Sequence, residues 1–340
     1  MTAPDRDLQN NPAVDASSIL VAIPTLNEEA HIAETIAAIL GETPEMAAVK
    51  IVVADGGSTD RTCEIVRALG ERYPNIHLID NPDRIQAAAV NKVVADCAEP
   101  HHNIMVRVDA HAHYPPDYVL KVAQSLVTHA AAGLATVMDS VGSTCFQRGS
   151  AWAMETKIGS GGSGHRGGTT SGYVDHGHHA GFDLEMYRKV GGYDTGFVAN
   201  EDAEFDHRVN EAGGRIWLDT TIRLDYVMRG SLGKLAKQYW RYGKGRAQTI
   251  LRHKMKPRPR QMIPPVILVV NLVSILLAPF APVLLLLPLA YLMLLAATSA
   301  LLMVKNKSLC GIWAGPALLA MHQAWGAGFL SHMIMNRGKS

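Results

Sequence analysis

VKIVVADGGSTD, residues 49–60, is the stretch whose reading decides the fold. Val49 to Ala54 form a short apolar run, and Asp55-Gly56-Gly57-Ser58-Thr59-Asp60 close it with turn-forming residues, which predicts a buried strand with a polar loop at its carboxyl end. The amphipathic stretch TCEIVRALGERY that follows predicts a helix. Upstream, Ile19 to Pro24 repeats the pattern: an apolar strand ended by a breaker, then TLNEEAHIAETIAAILG with Ile32, Ile36, Ile39 and Leu40 at helical spacing and Gly41 as the stop. Downstream come a third strand at Ile76 to Asp80, a helix from Gln86 to Ala98, and a fourth strand from Ile104 to Asp109. Strand and helix alternating at roughly thirty-residue intervals predict an α/β fold with a parallel sheet and ligands at the carboxyl ends of its strands.

The rest of the chain has a different character. Lys and Arg total 32 against 31 Asp and Glu, yet no acidic residue follows Asp225, so the near-neutral sum joins an acidic body to a purely basic tail. That division favours an anionic membrane surface as partner, and it argues against nucleic acid because the basic residues lie beside apolar sequence. Residues 263–282, 283–304 and 310–334 are three apolar stretches near the length of a bilayer crossing. KMKPRPRQ (254–261) precedes the first of them and predicts a cytoplasmic side for that face. Two crossings return Lys305 and Lys307 to that side; a third would export Arg337 and Lys339, so the last stretch is expected to cross, tilt or lie at the interface.

Residues 1–18 read as a flexible leader without the pattern of a signal peptide. Cys63, Cys97, Cys145 and Cys310 are scattered with no paired spacing, so free thiols in a reducing compartment are expected. GSGGSGHRGGTTSGYVDHGHHAG (159–181) reads as a long loop near the active site. Its His176, His178 and His179 do not match a zinc spacing, though one of them is a candidate to approach a metal or a phosphate.

Six ordered motifs then show a resemblance to the family 2 glycosyltransferases, inverting enzymes of the GT-A fold that use nucleotide-diphospho sugars. They are VAIPTLNEE (21–29), VVADGGSTDRT (52–62), RIQAAAVNK (84–92), RVDAHAHY (107–114), FVANEDAEFDHRV (197–209) and QYWRYGKGR (238–246). The resemblance implies donor binding by Pro24, Asn27, Glu28, Asp55, Asp60, Arg84 and Asp109, with Asp55 at the uracil and Asp60 supporting its loop. It implies Asp202 as catalytic base and Gln238, Arg241 and Tyr242 at the diphosphate or acceptor, Tyr242 standing where the family has Trp. His111 stands where the family's D-x-D motif has its last carboxylate. Asp109 and His111 are then the expected ligands of a divalent cation, Mn²⁺ more readily than Mg²⁺ because imidazole suits it better. Taken singly, Asn27 and Asp60 also read as turn or cap residues, and Glu201 as a complement to a helix dipole.

The expected plan is a GT-A domain over 19–225, a basic amphipathic connector over 226–262 and a membrane region over 263–335. Over its whole length the chain resembles bacterial succinoglycan-type exopolysaccharide glucosyltransferases. This implies a UDP-glucose donor, a polyprenyl-diphosphate sugar acceptor, a β-linkage and a place on the cytoplasmic face of the inner membrane. Direct transfer to polyprenyl phosphate and a catalytically inactive membrane scaffold are the rival readings.

Overall fold

The structure, a computed structural model, describes residues 13–41, 43–197 and 199–336. Most of the expected leader, and Arg337 and Lys339, lie outside the described residues; Ala16–Ser18 already form a 3₁₀ turn capped by Asp15. The chain then runs β1 (Ile19–Thr25), α1 (Ile32–Leu40), β2 (Lys50–Asp55), α2 (Thr62–Arg72), β3 (Ile76–Asp80), α3 (Gln86–Cys97) and β4 (Ile104–Arg107). It continues through α4 (Tyr118–Thr128), β5 (Gly133–Val141), α5 (Cys145–Met154), α6 (Lys157–Ser160), β6 (Gly172–Val174), β7 (His178–Asp183) and α7 (Leu184–Lys189). Last come α8 (Glu201–Glu211), β8 (Ile216–Val227), α9 (Leu232–Arg252), α10 (Pro259–Leu277), α11 (Leu286–Lys305) and α12 (Ala314–Met335).

The sheet has the order β3-β2-β1-β4-β7-β5-β8-β6. Strands β1 to β4 pair in parallel, as the strand and helix alternation predicts, with Pro24 opposite Ala54 and Thr25 opposite Asp55. Beyond β4 the pairing turns antiparallel, because β7 runs against both β4 and β5. This corrects the expectation of a loop over 159–181. His178-His179-Ala180-Gly181-Phe182-Asp183 is a central strand, with Ala180 and Phe182 fully buried, and its histidines are carried into the sheet. Leu20, Ala22, Val52 and Ala54 pack with Val90 and Val93 of α3 in the main core, which holds the parallel strand ends in register.

The chain forms two compact units. One contains the described residues up to Val137, with Thr169–Thr195 and Phe205–Leu224; the other contains Met138–Gly168, Gly196–Glu204 and the described residues from Asp225 onward. In the second unit Cys145 and Cys310, expected free, are joined as a disulfide with their Cα atoms 4.8 Å apart. Folding brings together α5, whose start Thr144 caps, and the turn before α12, across 165 residues of sequence.

Among the described residues two helical stretches are long and apolar enough to cross a membrane, Pro259–Leu277 and Pro282–Lys305, and both are mostly exposed. The third apolar stretch behaves differently. On α12, a side chain at Gly328 would meet the Trp240 carbonyl of α9 at 2.1 Å, and one at Gly243 of α9 would meet the Trp325 carbonyl at 2.0 Å. Only glycine at both positions permits that backbone approach, so α12 lies against α9 and buries Leu318, Met321 and Phe329. The 226–262 region is accordingly more than a helix lying on lipid: it contains the end of β8 and an α9 covered on one face by protein.

Candidate active site

In the first unit the loops after β1, β2 and β4 carry the polar residues. Asp55 ends β2 and is nearly inaccessible; its Oδ2 accepts from the Gly57 and Ser58 backbone amides at 2.9 and 2.8 Å, and its Oδ1 accepts from the Ser58 hydroxyl. Burial alone would raise its pKa, but these donors outweigh burial and hold the carboxyl below its ordinary value, so Asp55 stays ionised. Asn27, with φ +57°, joins the first two loops. Its amide donates to Ser58 Oγ at 2.8 Å, and its Oδ1 accepts from the Thr59 amide at 2.8 Å. Asp60 accepts from the Thr62 amide at 3.0 Å at the start of α2 and from the Glu29 amide at 3.1 Å. Arg84 is exposed, also with positive φ, and its guanidinium lies over Gly57, 3.2 Å from where a side chain there would begin. Pro24 sits half-buried at the end of β1.

Asp109 follows β4 and is the hub of a second cluster. Its Oδ1 accepts from Gln86 Nε2 at 2.7 Å and from Arg107 Nε at 3.2 Å, and its amide donates to the Tyr114 hydroxyl at 2.6 Å. Arg107 is 4% exposed and also donates to the Tyr193 hydroxyl at 3.2 Å. Burial and the Asp109 charge push the Tyr114 phenol up, so it stays protonated. On the other side, His178 Nε2 stands 3.8 Å from Asp109 Oδ2. His111 is exposed and pairs through Nδ1 with Glu28 Oε1 at 2.9 Å, which brings two expected site residues together. His113 is solvated, with Glu34 Oε1 at 3.8 Å.

Beneath His178 lies a buried acid. Asp206 of α8 is fully buried, meets His176 Nδ1 at 2.9 Å and the Gly177 amide at 3.2 Å, and forms a short bond with His179 Nε2. Two flanking histidines and a glycine amide are thus fixed on one carboxylate, which orients the intervening His178 toward Asp109.

The second unit holds the remaining expected residues. Glu201 and Asp202 open α8 in its first turn with Glu204. Glu204 is buried and already paired with His253 Nε2 at 2.9 Å, which leaves it poorly placed to serve a substrate. On α9, Gln238 Nε2 donates to the Tyr226 hydroxyl at 2.6 Å and to the Tyr242 hydroxyl at 2.9 Å, while Arg241, three residues on, is exposed. Burial raises the Tyr242 and Tyr239 phenols well above their ordinary values, so both remain donors at neutral pH. No group of three or more His, Cys, Asp or Glu side chains among the described residues is arranged as a metal centre by itself.

Sequence reasoning missed Arg107, Gln86 and Asp206 as partners in these clusters, although all three lie within the six motifs, and it left open which of the three loop histidines approaches a metal or a phosphate; His178 stands near Asp109. Arg107 and Asp109 are two residues apart at the end of a strand, where side chains share a face. A lone basic residue in the apolar run IMVRV was the available signal.

A parallel sheet that collects carboxylates at its strand ends, followed by antiparallel strands, is the architecture of a nucleotide-sugar transferase of the GT-A type. Residues 20–191 match the family model of glycosyl transferase family 2, and the chain belongs to that family; it is a hexosyltransferase. It is 36% identical to succinoglycan biosynthesis protein ExoA of Rhizobium meliloti (strain 1021), over 94% of this chain and 96% of that protein. It is 24% identical to a dolichyl N-acetyl-α-D-glucosaminyl phosphate 3-β-D-2,3-diacetamido-2,3-dideoxy-β-D-glucuronosyltransferase of Methanococcus voltae, over 66% of this chain and 71% of that one. Among solved structures, the mannosyltransferase PcManGT from Pyrobaculum calidifontis, in complex with GDP-Man and Mn²⁺, shares the fold with a TM-score of 0.58. The two are 19% identical over 96% of this chain and 91% of that one.

Proposed function

We propose that this glycosyltransferase moves glucose from UDP-glucose to a sugar carried on polyprenyl diphosphate, with inversion to a β-linkage, in bacterial exopolysaccharide synthesis. The near full-length similarity to a succinoglycan biosynthesis protein carries the reading. The Methanococcus voltae relative, whose name describes a lipid-phosphate-linked sugar, supports a lipid-linked acceptor. The two exposed apolar helices supply a means of meeting such an acceptor at the inner membrane, with the transferase side in the cytoplasm.

In this reading Asp55, Asn27, Glu28, Pro24, Asp60 and Arg84 form the nucleoside and diphosphate side of the donor pocket. Asp55 is the ionised group that the uracil N–H approaches, and Asn27 and Asp60 hold the loop shape around it. Asp109 and His111 suit a divalent cation that takes its other ligands from the diphosphate. Gln86 and Arg107 hold Asp109 Oδ1, and the separation of 3.8 Å between Asp109 Oδ2 and His178 Nε2 leaves room for a cation between carboxylate and imidazole. Such a cation, Mn²⁺ on this donor set, offsets the charge of the leaving diphosphate. Asp202 takes the proton of the acceptor hydroxyl as it attacks the anomeric carbon. Gln238, Arg241 and Tyr242 receive phosphate oxygens.

Membranes containing the protein, given radiolabelled UDP-glucose with either polyprenyl phosphate or a polyprenyl-diphosphate sugar, should label only the second lipid. Label on polyprenyl phosphate would instead establish the rival direct transfer, and no transfer to either would favour the scaffold. The full-length chain should also stay with membranes through an alkaline carbonate wash; recovery as a soluble monomer without detergent would remove the membrane assignment. Truncation before Pro259 is a poor test of anchoring, because it strips α12 from α9 along with the apolar helices.

A further inference from the structure

Arg166 lies in the second compact unit, in the glycine-rich turn after α6. The turn is well fixed. The Met138 amide donates to the His165 carbonyl at 2.9 Å, Met138 bridges Arg166, and the Arg166 amide donates to the Ser163 carbonyl at 3.2 Å. Gly167 has φ +64°, and a side chain on Gly168 would lie 2.0 Å from the Gly164 carbonyl, so this shape requires glycine at both positions.

The turn places the Arg166 guanidinium 4.4 Å from the centre of the Tyr226 ring. Its Nη1 is buried and meets no acceptor, and no carboxylate pairs with it among the described residues. The Tyr226 hydroxyl joins the Tyr242 hydroxyl on the same Gln238 amide. An aromatic face compensates a guanidinium only in part, and its five N–H donors still require oxygen acceptors. A fork of N–H groups beside phenol hydroxyls matches the oxygens of a phosphate ester better than it matches a sugar hydroxyl or a single carbonyl.

We propose that Arg166 and Tyr226, with Gln238 and Tyr242, form a receptor for the diphosphate of a substrate. Gln238 and Tyr242 were expected at phosphate from their motif; the guanidinium and the second phenol are new. Nucleotide donor and lipid-linked acceptor both carry a diphosphate. The acceptor is favoured because Arg166, Tyr226 and Gln238 belong to the unit that carries the two apolar helices, whereas Asp55 and Asp109 belong to the other. The preference for the acceptor rests on the lipid-linked reading above; the receptor itself requires only a diphosphate.

The test uses full-length protein in nanodiscs with Mn²⁺, titrated separately with farnesyl diphosphate and with UDP. Arg166→Gln should weaken farnesyl diphosphate by about ten- to a hundredfold, the scale of a lost charged hydrogen bond, and leave UDP within about twofold. Arg166→Lys keeps the charge without the fork and should fall between, while Tyr226→Phe keeps the ring and should lose several-fold. Weakened UDP with unchanged farnesyl diphosphate would support the same receptor for the donor. Unchanged affinity for both probes in Arg166→Gln overturns the proposal. If that variant does not fold, unchanged affinity for both probes in Arg166→Lys and Tyr226→Phe overturns it equally. A wild-type protein that binds UDP but not farnesyl diphosphate would sink the lipid-acceptor reading, and the UDP titrations alone would then decide the role of Arg166.

Discussion

Asp202→Asn is expected to slow sugar transfer by roughly a hundredfold to ten-thousandfold, with UDP-glucose affinity almost unchanged. The substitution keeps the shape of the side chain and removes its basicity, so a group that acts only on the acceptor proton loses turnover and not donor binding. Three acids share the first turn of α8, and the structure separates them. Glu204 is buried against His253, which leaves Glu201 and Asp202 as the accessible pair. Glu201→Gln is the matched control: it removes a charge from the same helix end and should cost far less activity. Transfer rate and donor affinity would be measured for both variants at one Mn²⁺ concentration. A dead Glu201→Gln beside a normal Asp202→Asn would place the base one residue earlier, and full activity in both would remove the base from this helix turn.

Chelation with EDTA should abolish transfer, and Mn²⁺ should restore it more fully than Mg²⁺. The carboxylate of Asp109 and the diphosphate of the donor carry the same sign and repel unless a cation lies between them. Arg107 supplies some positive charge to Asp109, but it does so at Oδ1, from beneath the strand end. Asp109→Asn should therefore raise the Mn²⁺ concentration needed for half-maximal activity by at least about tenfold, the change expected from losing a charged ligand. Undiminished activity in EDTA would remove the metal assignment from Asp109 and His111.

The parallel half of the fold was legible because each strand is a compact apolar run bounded by a breaker. β3 falls at its expected residues, and β1, β2 and β4 end within two residues of theirs. β7 was not, because glycine and histidine mask a strand whose pairing partners, β4 and β5, come from distant sequence. α12 differs from α10 and α11 in two ways: it is not apolar enough for a membrane crossing, and at Gly326 and Gly328 its backbone packs against backbone. Motif order marked Asp55, Asp109, His111 and Gln238 as candidates, but not the side chains and amides that contact them. Arg107 and Asp206 meet partners that folding supplies, and no local spacing announces a partner 27 or 30 residues away, as for Asp206 with its histidines.

The pairing of Cys145 with Cys310 has a topological consequence that does not depend on whether the sulfurs are bonded. Two residues whose Cα atoms lie 4.8 Å apart cannot stand on opposite faces of a bilayer, so any passages made by the polypeptide between them are even in number. With α10 and α11 as the crossing helices that number is two. On the proposed membrane reading the chain would dip through the bilayer once and resurface beside α5, and α12 would start on the side from which the polypeptide set out.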